Sequence, residues 1–222
     1  DVEEDLTNSY LIEEYLEGES LYALVKRLGS LSMKTAAEIG IQVCRLIQFM
    51  NTADNPILYL DLQPKNLLVC NGAVRLIDFD HAQYAEDVTA FGERYGTIGF
   101  AAPEQYRGEP LDCRTDVYAI GALLYYMCRG EPPGNGFCLG DRSDTWELDR
   151  IIRGCMAAEK DGRYQNAGKV EQALCELKTV LSEKHAIESL TIVFAGARPG
   201  IGTTHAAFGI STFLTRNGYP AL

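Results

Sequence analysis

The stretch Ile57-Leu-Tyr-Leu-Asp61-Leu-Gln-Pro-Lys-Asn66-Leu-Leu-Val69 decides how the rest of the chain is read. Apolar residues flank a polar knot in which an Asp and an Asn stand five positions apart. On one loop, two such side chains converge on one point. The Asp can accept a proton from a hydroxyl, and the Asn can offer its carbonyl oxygen to a metal. A third polar group, Asp78 in Leu76-Ile-Asp-Phe-Asp80, follows twelve residues after Asn66. Mg2+ favours hard oxygen ligands, takes few from a protein and shares the rest with phosphates. Asp61, Asn66 and Asp78 in this order therefore point to phosphoryl transfer from a metal nucleotide.

The surrounding pattern is mainly helical. A short strand is expected at Tyr10–Ile12, a helix over Glu19–Leu28, and a long helix from Met33 to about Thr52 capped by Ser32. The long helix is apolar almost all round and belongs at the core. Leu67–Cys70 and Ala73–Ile77 flank Asn71-Gly72, the signal of a type I′ hairpin. Residues 78–102 show no clear periodicity, and a loop of that length in a compact domain is usually functional. Another apolar helix starts at Thr115 or Asp116 and runs to Cys128, where Gly130-Glu-Pro-Pro-Gly stops it. Two more are expected near Trp146–Met156, with Trp146 in the core, and after Asn166, with Val170, Ala173, Leu174, Leu177, Val180 and Leu181 on one face. Ser182–Ser189 reads as a polar linker. Leu190–Ala195 then reads as a buried strand, followed by a glycine-rich turn and an apolar helix from Thr203, the opening of a nucleotide-binding α/β domain.

A net charge of −11 argues against a nucleic-acid partner, since no basic stretch is present to neutralise phosphates. The seven cysteines show neither C-x-x-C pairs nor zinc spacing and read as reduced, mostly buried residues of a cytoplasmic protein. No apolar run reaches membrane-spanning length, so membrane association would come from regions outside this chain.

Several motifs in order give the chain a family resemblance. Tyr59-Leu-Asp-Leu-Gln-Pro-Lys-Asn66 resembles the catalytic loop of protein kinases, and Asp78-Phe79-Asp80 the metal-binding triplet. Gly96-Thr97-Ile-Gly-Phe-Ala-Ala-Pro-Glu104 resembles the end of the activation segment. Asp116-Val-Tyr-Ala-Ile-Gly121 resembles the buried helix that anchors the catalytic loop. Asp161-Gly-Arg163-Tyr resembles the element whose Arg pairs with the Glu of Ala-Pro-Glu. Leu11–Gly18 looks like the last strand of the small lobe and the hinge. The chain is most similar to the large lobe of bacterial Ser/Thr kinases, from about residue 10 to 181.

The resemblance implies an α+β, mainly helical fold with a short β-hairpin at the catalytic loop, and it implies ATP and Mg2+ as cofactors. It assigns Asp61 to the substrate hydroxyl, Asn66 and Asp78 to Mg2+, backbone groups of Glu14 and Leu16 to adenine, and Leu68 to the pocket floor. Thr97 would meet the catalytic loop near the protein substrate. Tyr59, Phe79, Glu104, Asp116 and Arg163 would be structural. The departures carry expectations of their own. Leu60 stands where an Arg usually grips an activation-loop phosphate, so activity would not need phosphorylation at Thr89 or Thr97. Gln63 replaces a Lys that contacts the γ-phosphate, removing a positive charge worth about 2–4 kcal/mol in comparable sites. Asp80 replaces a Gly, and Glu13 fills the gatekeeper slot.

The resemblance divides the chain into a kinase-like domain (1–181), a linker (182–189) and the start of a truncated α/β domain (190–222). The small lobe, with its Gly-rich loop and its Lys–Glu pair, would lie upstream in the parent chain, and this segment alone would bind ATP poorly. The last segment resembles the phosphate loop of ParA/MinD-type ATPases, with Arg198, Gly200, Gly202 and Thr204 as a second phosphate site and Thr203 in place of the usual Lys. Two other readings fit parts of the pattern. One is a scaffold that regulates the downstream domain without catalysis. The other is a small-molecule phosphotransferase of the aminoglycoside or choline type, which "LIDFDHA" resembles but which lacks the Ala-Pro-Glu segment.

Overall fold

The computed structural model describes residues 2–4, 9–11, 14–88, 96–134, 138–139 and 146–188. The chain divides into two compact units, Asp1–Leu177 and Lys178–Leu222. The expectations for Glu13, Thr89 and the whole 190–222 segment, with Arg198, Gly200, Gly202 and Thr204, lie outside the described residues.

The first unit is built on helices with three small antiparallel sheets. Strands β1 (Val2–Glu4) and β2 (Ser9–Leu11) pair with each other. Strand β3 (Glu19–Ser20) runs into helix α1 (Leu21–Leu28), which Ser20 caps by accepting the Ala23 N–H at 3.2 Å. Helix α2 (Met33–Asn51) is capped by Ser32 as its sequence predicts. Strand β4 (Ile57–Leu58) leads into the polar knot, and a 3-10 turn (Pro64–Asn66) leads out of it. Strands β5 (Leu67–Cys70) and β6 (Ala73–Leu76) form the expected hairpin, with Val69 opposite Val74 and β3 on the outer side of β5. Its turn residues Asn71 and Gly72 both have positive φ, 52° and 82°, which is what a type I′ turn requires.

The loop after the hairpin holds more structure than its pattern suggests. Strand β7 (Gln83–Tyr84) pairs with β4, and helix α3 (Pro103–Arg107) begins at the Pro of Ala102-Pro103. Two-residue strands and a five-residue helix are too short for periodicity to register. Helix α4 (Cys113–Arg129) begins two residues before its predicted start, because Asp112 caps it by accepting the Arg114 N–H at 2.9 Å. Gly130 ends it in the left-handed conformation. Helix α5 (Trp146–Cys155) follows, but Trp146 is 57 % exposed and lies against Arg150 instead of in the core. At the start of a helix whose buried face is Leu148, Ile151, Ile152 and Cys155, residue 146 falls on the outer side. Helix α6 (Ala167–Glu188) continues through the stretch expected as a linker. Ser182-Glu-Lys-His-Ala-Ile-Glu188 is rich in good helix formers and holds no Gly or Pro to stop the helix. The cysteines are free, though only Cys44 and Cys155 are fully buried and Cys138 is exposed.

The core of this unit lies around α4. Val117, Ile120, Leu123, Leu124 and Met127 are inaccessible or nearly so, as are Val43, Cys44 and Ile47 of α2 and Leu148 and Ile152 of α5. Gly40 and Gly121 admit these neighbours closely: a Cβ at Gly40 would sit 2.7 Å from Leu124, and one at Gly121 2.5 Å from Cys155.

Into this core the fold sets one ion pair. Arg163 donates from Nη1 and Nη2 to the two carboxylate oxygens of Glu104, at 2.7 and 2.8 Å, with both side chains almost fully buried. The Arg163 guanidinium also donates to the carbonyls of Ala157, Ala158 and Arg114 and lies 5.0 Å from the Tyr118 ring. Thr115 donates to Glu104 Oε1 at 3.0 Å. Every polar atom of the pair thus has a partner, the condition under which a buried pair is tolerated.

Removing one partner should be severe. Arg163→Met should lower unfolding stability by about 3–5 kcal/mol in urea titrations, by stranding the Glu104 carboxylate. The pH dependence has a definite sign. Burial raises the Glu104 carboxyl, but the Arg163 hydrogen bonds and charge outweigh it and hold the group below its ordinary 4.5. The unfolded chain therefore binds the proton more readily. The contribution is complete above about pH 4.5 and is lost as pH falls through the lower folded value. Glu104→Gln should accordingly show a shallower loss of urea stability than wild type below about pH 4.5.

Candidate active site

The polar knot is held from below by Asp116 on α4. This carboxylate is inaccessible to solvent. It accepts the backbone N–H of Tyr59 at 3.0 Å, the N–H of Leu60 at 2.9 Å and Asn51 Nδ2 at 3.3 Å. Burial pushes the Asp116 carboxyl up, and these three donors oppose the shift. Leu60 adopts φ 65°, a left-handed conformation that is costly for a branched residue. Its amide is fixed by Asp116, and its carbonyl accepts Gln105 Nε2 at 2.9 Å. That bend turns the following residue, Asp61, away from the core.

Three donors then orient the Asp61 carboxylate. Thr97 Oγ1 donates to Oδ1 at 2.7 Å, while Gln63 Nε2 and Asn66 Nδ2 both donate to Oδ2 at 2.8 Å. Asn66 Nδ2 also donates to the Asp61 carbonyl at 3.0 Å. Turning the amide over would set oxygen against two oxygens, so the network leaves Asn66 Oδ1 as the atom free to meet a cation. Asp61 keeps lone-pair capacity on Oδ1 for one further donor.

Tyr59 ties this loop to the second acidic position. Its hydroxyl donates to the carbonyls of Ile77 at 2.6 Å and Asp78 at 3.0 Å. Burial, with Asp61 and Asp78 nearby, pushes the Tyr59 hydroxyl up, so it remains a donor at neutral pH. The Tyr59 ring meets Phe79 edge-on at 5.5 Å. Asp78 itself has φ 64° and accepts the Asp80 N–H at 3.3 Å, and its side chain is exposed. Beside Phe79, which is 52 % exposed, lies a cavity of about 520 Å³ lined by Met50, Ile57, Ala82 and Tyr84.

Asp61, Gln63, Asn66 and Thr97 are thus brought into one hydrogen-bonded group, with Tyr59, Phe79 and Asp78 adjoining it. Glu14 is exposed and Leu16 half-buried on the segment leading to β3. Leu68 is half-buried opposite Ser20. Glu104 and Arg163 stand apart as the ion pair described above. His81 is exposed. Sequence reasoning missed Asn51 and Gln105. Asn51 is a polar residue closing an apolar helix. Gln105 directly follows Ala-Pro-Glu, but its partner lies 45 residues away, and no local pattern reports that.

The oxygens available suit Mg2+. Among the described residues no three His, Cys, Asp or Glu side chains gather into a metal site of their own. A cation between Asn66 and Asp78 would therefore need oxygens from a bound ligand, as Mg2+ does when it travels with phosphates. Tyr59→Phe should strip the donor from two carbonyls at the edge of this site. The expected result is a loss of about 1–3 kcal/mol in urea unfolding and faster amide exchange at residues 77–80.

Comparison with known proteins agrees with this geometry. The family model described as the protein kinase domain matches residues 1–192. The chain is 31% identical to serine/threonine-protein kinase PknB of Mycolicibacterium smegmatis over 74% of this chain and 30% of that protein. It is 29% identical to PknB of Mycobacterium tuberculosis, again over 74% and 30%. A probable serine/threonine-protein kinase of Clostridium acetobutylicum is 27% identical over 80% of this chain and 30% of its own length. The chain spans about 30% of the length of these curated relatives. With its kinase-type loop, hairpin and buried ion pair, the chain belongs to the protein kinase family.

Proposed function

We propose that the protein containing this chain transfers the γ-phosphoryl group of Mg-ATP to Ser or Thr hydroxyls of protein substrates. The observation that carries this reading is the Asp61 carboxylate, oriented by Thr97, Gln63 and Asn66 with one acceptor position left. In that position Asp61 would accept the proton of the attacking hydroxyl and aim its oxygen. Asn66 Oδ1 and the Asp78 carboxylate would hold Mg2+, which supplies neutralisation of the charge on the transferring group. Backbone groups of Glu14 and Leu16 would meet the adenine and Leu68 would floor its pocket, with the phosphates covered by a small lobe upstream. The relatives' printed names support Ser/Thr as acceptors. The complete Ala-Pro-Glu pairing with Arg163 favours a protein substrate over a small alcohol. We place the reaction in the cytoplasm; no helix among the described residues is long and apolar enough to cross a membrane. A downstream P-loop-like domain from residue 190 would be a partner within the parent chain.

Leu60 marks the site as one that needs no activation-loop phosphate, because no cation stands there to receive it. The Leu60 side chain is buried. Gln63, neutral where a cation would help, spends its amide on Asp61 instead.

Three measurements on the full-length protein test the reading. Asp61→Asn should lower phosphate transfer to a peptide or generic protein substrate by about 10²–10⁴-fold while Mg-ATP binding persists. A wild type that binds Mg-ATP but labels no substrate would turn the assignment toward a scaffold. Gln63→Lys should raise kcat, by up to about tenfold, through the charge restored beside the transferring group. Phosphatase treatment, or Thr89→Ala, should leave kcat within about twofold of the untreated enzyme if no phosphate switch operates.

A further inference from the structure

Gln105 is an unexplained buried polar residue. It is 5 % exposed, and its two amide atoms are spent on two different parts of the chain. Oε1 accepts the Ala102 N–H at 2.9 Å, at the start of α3. Nε2 donates to the Leu60 carbonyl at 2.9 Å, across 45 positions of sequence. Leu60 is the left-handed residue whose amide is already held by Asp116, so its two backbone polar groups are gripped from α4 on one side and from α3 on the other. Asp61 follows directly, and its carboxylate is met by Thr97, which lies on the segment just before α3. Tyr106, the residue after Gln105, donates its hydroxyl to the Thr97 carbonyl at 3.3 Å. Space beside this group is tight: Gly96 has φ 147°, and a Cβ there would collide with Ala101 and approach Gln105 Nε2 to 3.7 Å.

We propose that Gln105 is a positioning residue, a neutral clamp that locks the catalytic loop to the end of the activation segment and so sets the direction of the Asp61 carboxylate. The physical reason is local. Leu60 is held in a costly left-handed conformation, and such a residue relaxes unless the peptide groups on both sides of it are pinned. Asp116 pins the N–H. Gln105 is the donor that pins the carbonyl. If that carbonyl swings, the Leu60–Asp61 peptide rotates and Asp61 leaves the arc where Thr97 and Asn66 meet it. The clamp carries no charge and needs no phosphate, which matches a site with Leu at position 60. The inference rests on the reading of Asp61 as the group that aims the acceptor hydroxyl, and the experiment separates the two.

The test uses Gln105→Met, which keeps length but loses both hydrogen bonds, and Gln105→Glu at about pH 8, which keeps the acceptor for Ala102 but loses the donor to Leu60. Both are made in the full-length protein. Two quantities are read: hydrogen exchange of the amides of residues 60–62, and kcat against KM for ATP with a peptide substrate. In both variants exchange at 60–62 should rise at least about fivefold, with the α4 and α5 amides unchanged. The kcat should fall by about tenfold or more, with KM for ATP within about twofold, since the nucleotide site is untouched while the base is misaimed. Exchange at 60–62 equal to wild type in a folded variant overturns the clamp. So does acceleration spread evenly over the domain, with kcat and KM changing together, because that is a general loss of packing. If the wild type transfers no phosphate but exchange at 60–62 still rises selectively, the clamp stands and the kinase reading falls.

Discussion

The Asp116 carboxylate is the constraint on which the site depends. A charge with no access to water is costly unless each lone pair finds a donor. Here the donors are the amides of Tyr59 and Leu60 and the Asn51 side chain. To satisfy the charge, the chain must present two successive N–H groups to one point, and that bends the backbone at Leu60 into the left-handed region. Asp61 is thrown outward by the same bend. The buried Asp116 carboxylate and the half-buried Asp61 side chain are therefore held by one structure.

From that point the organisation spreads by hydrogen bonds that cross long stretches of sequence. Tyr59 carries it to the carbonyls of Ile77 and Asp78, and so to the second acidic position. Thr97 and Gln105 carry it to the segment before α3. Glu104, the neighbour of Gln105, joins that segment to Arg163 through the buried pair. Three elements distant in sequence are thus fastened to one loop, mostly by neutral donors. Leu60 and Gln63 are uncharged, and the donors that meet the Asp61 carboxylate are amides and a hydroxyl.

Much of this was legible in the residues. The Asn71-Gly72 turn is written in two residues that tolerate positive φ, and it appears where expected. Ser32 announces α2 and Gly130 closes α4, because caps act within one turn of the chain. The meeting of Asp61 and Asn66 follows from their spacing on one loop. What was missed has physical reasons. Strands β4 and β7 are two residues each and are stable only against one another. Trp146 lies outside the core because the face of α5 that is buried is set by what packs on it. The run after Leu181 is polar, as a linker would be, yet polar residues of high helix propensity continue α6 to Glu188.

The sequence by itself determined which chemical groups are present and in what order, because residue type and short-range spacing are local facts. Asp61 with Asn66, Asp78 after a hairpin, Glu104 before a distant Arg163 and neutral residues at 60 and 63 were all readable without coordinates. Only the tertiary structure decided how those groups are aimed. The left-handed bend at Leu60, the turning of the Asn66 amide and the reach of Gln105 all depend on partners tens of residues away. Such partners satisfy a buried dipole or charge only once the core has closed around it.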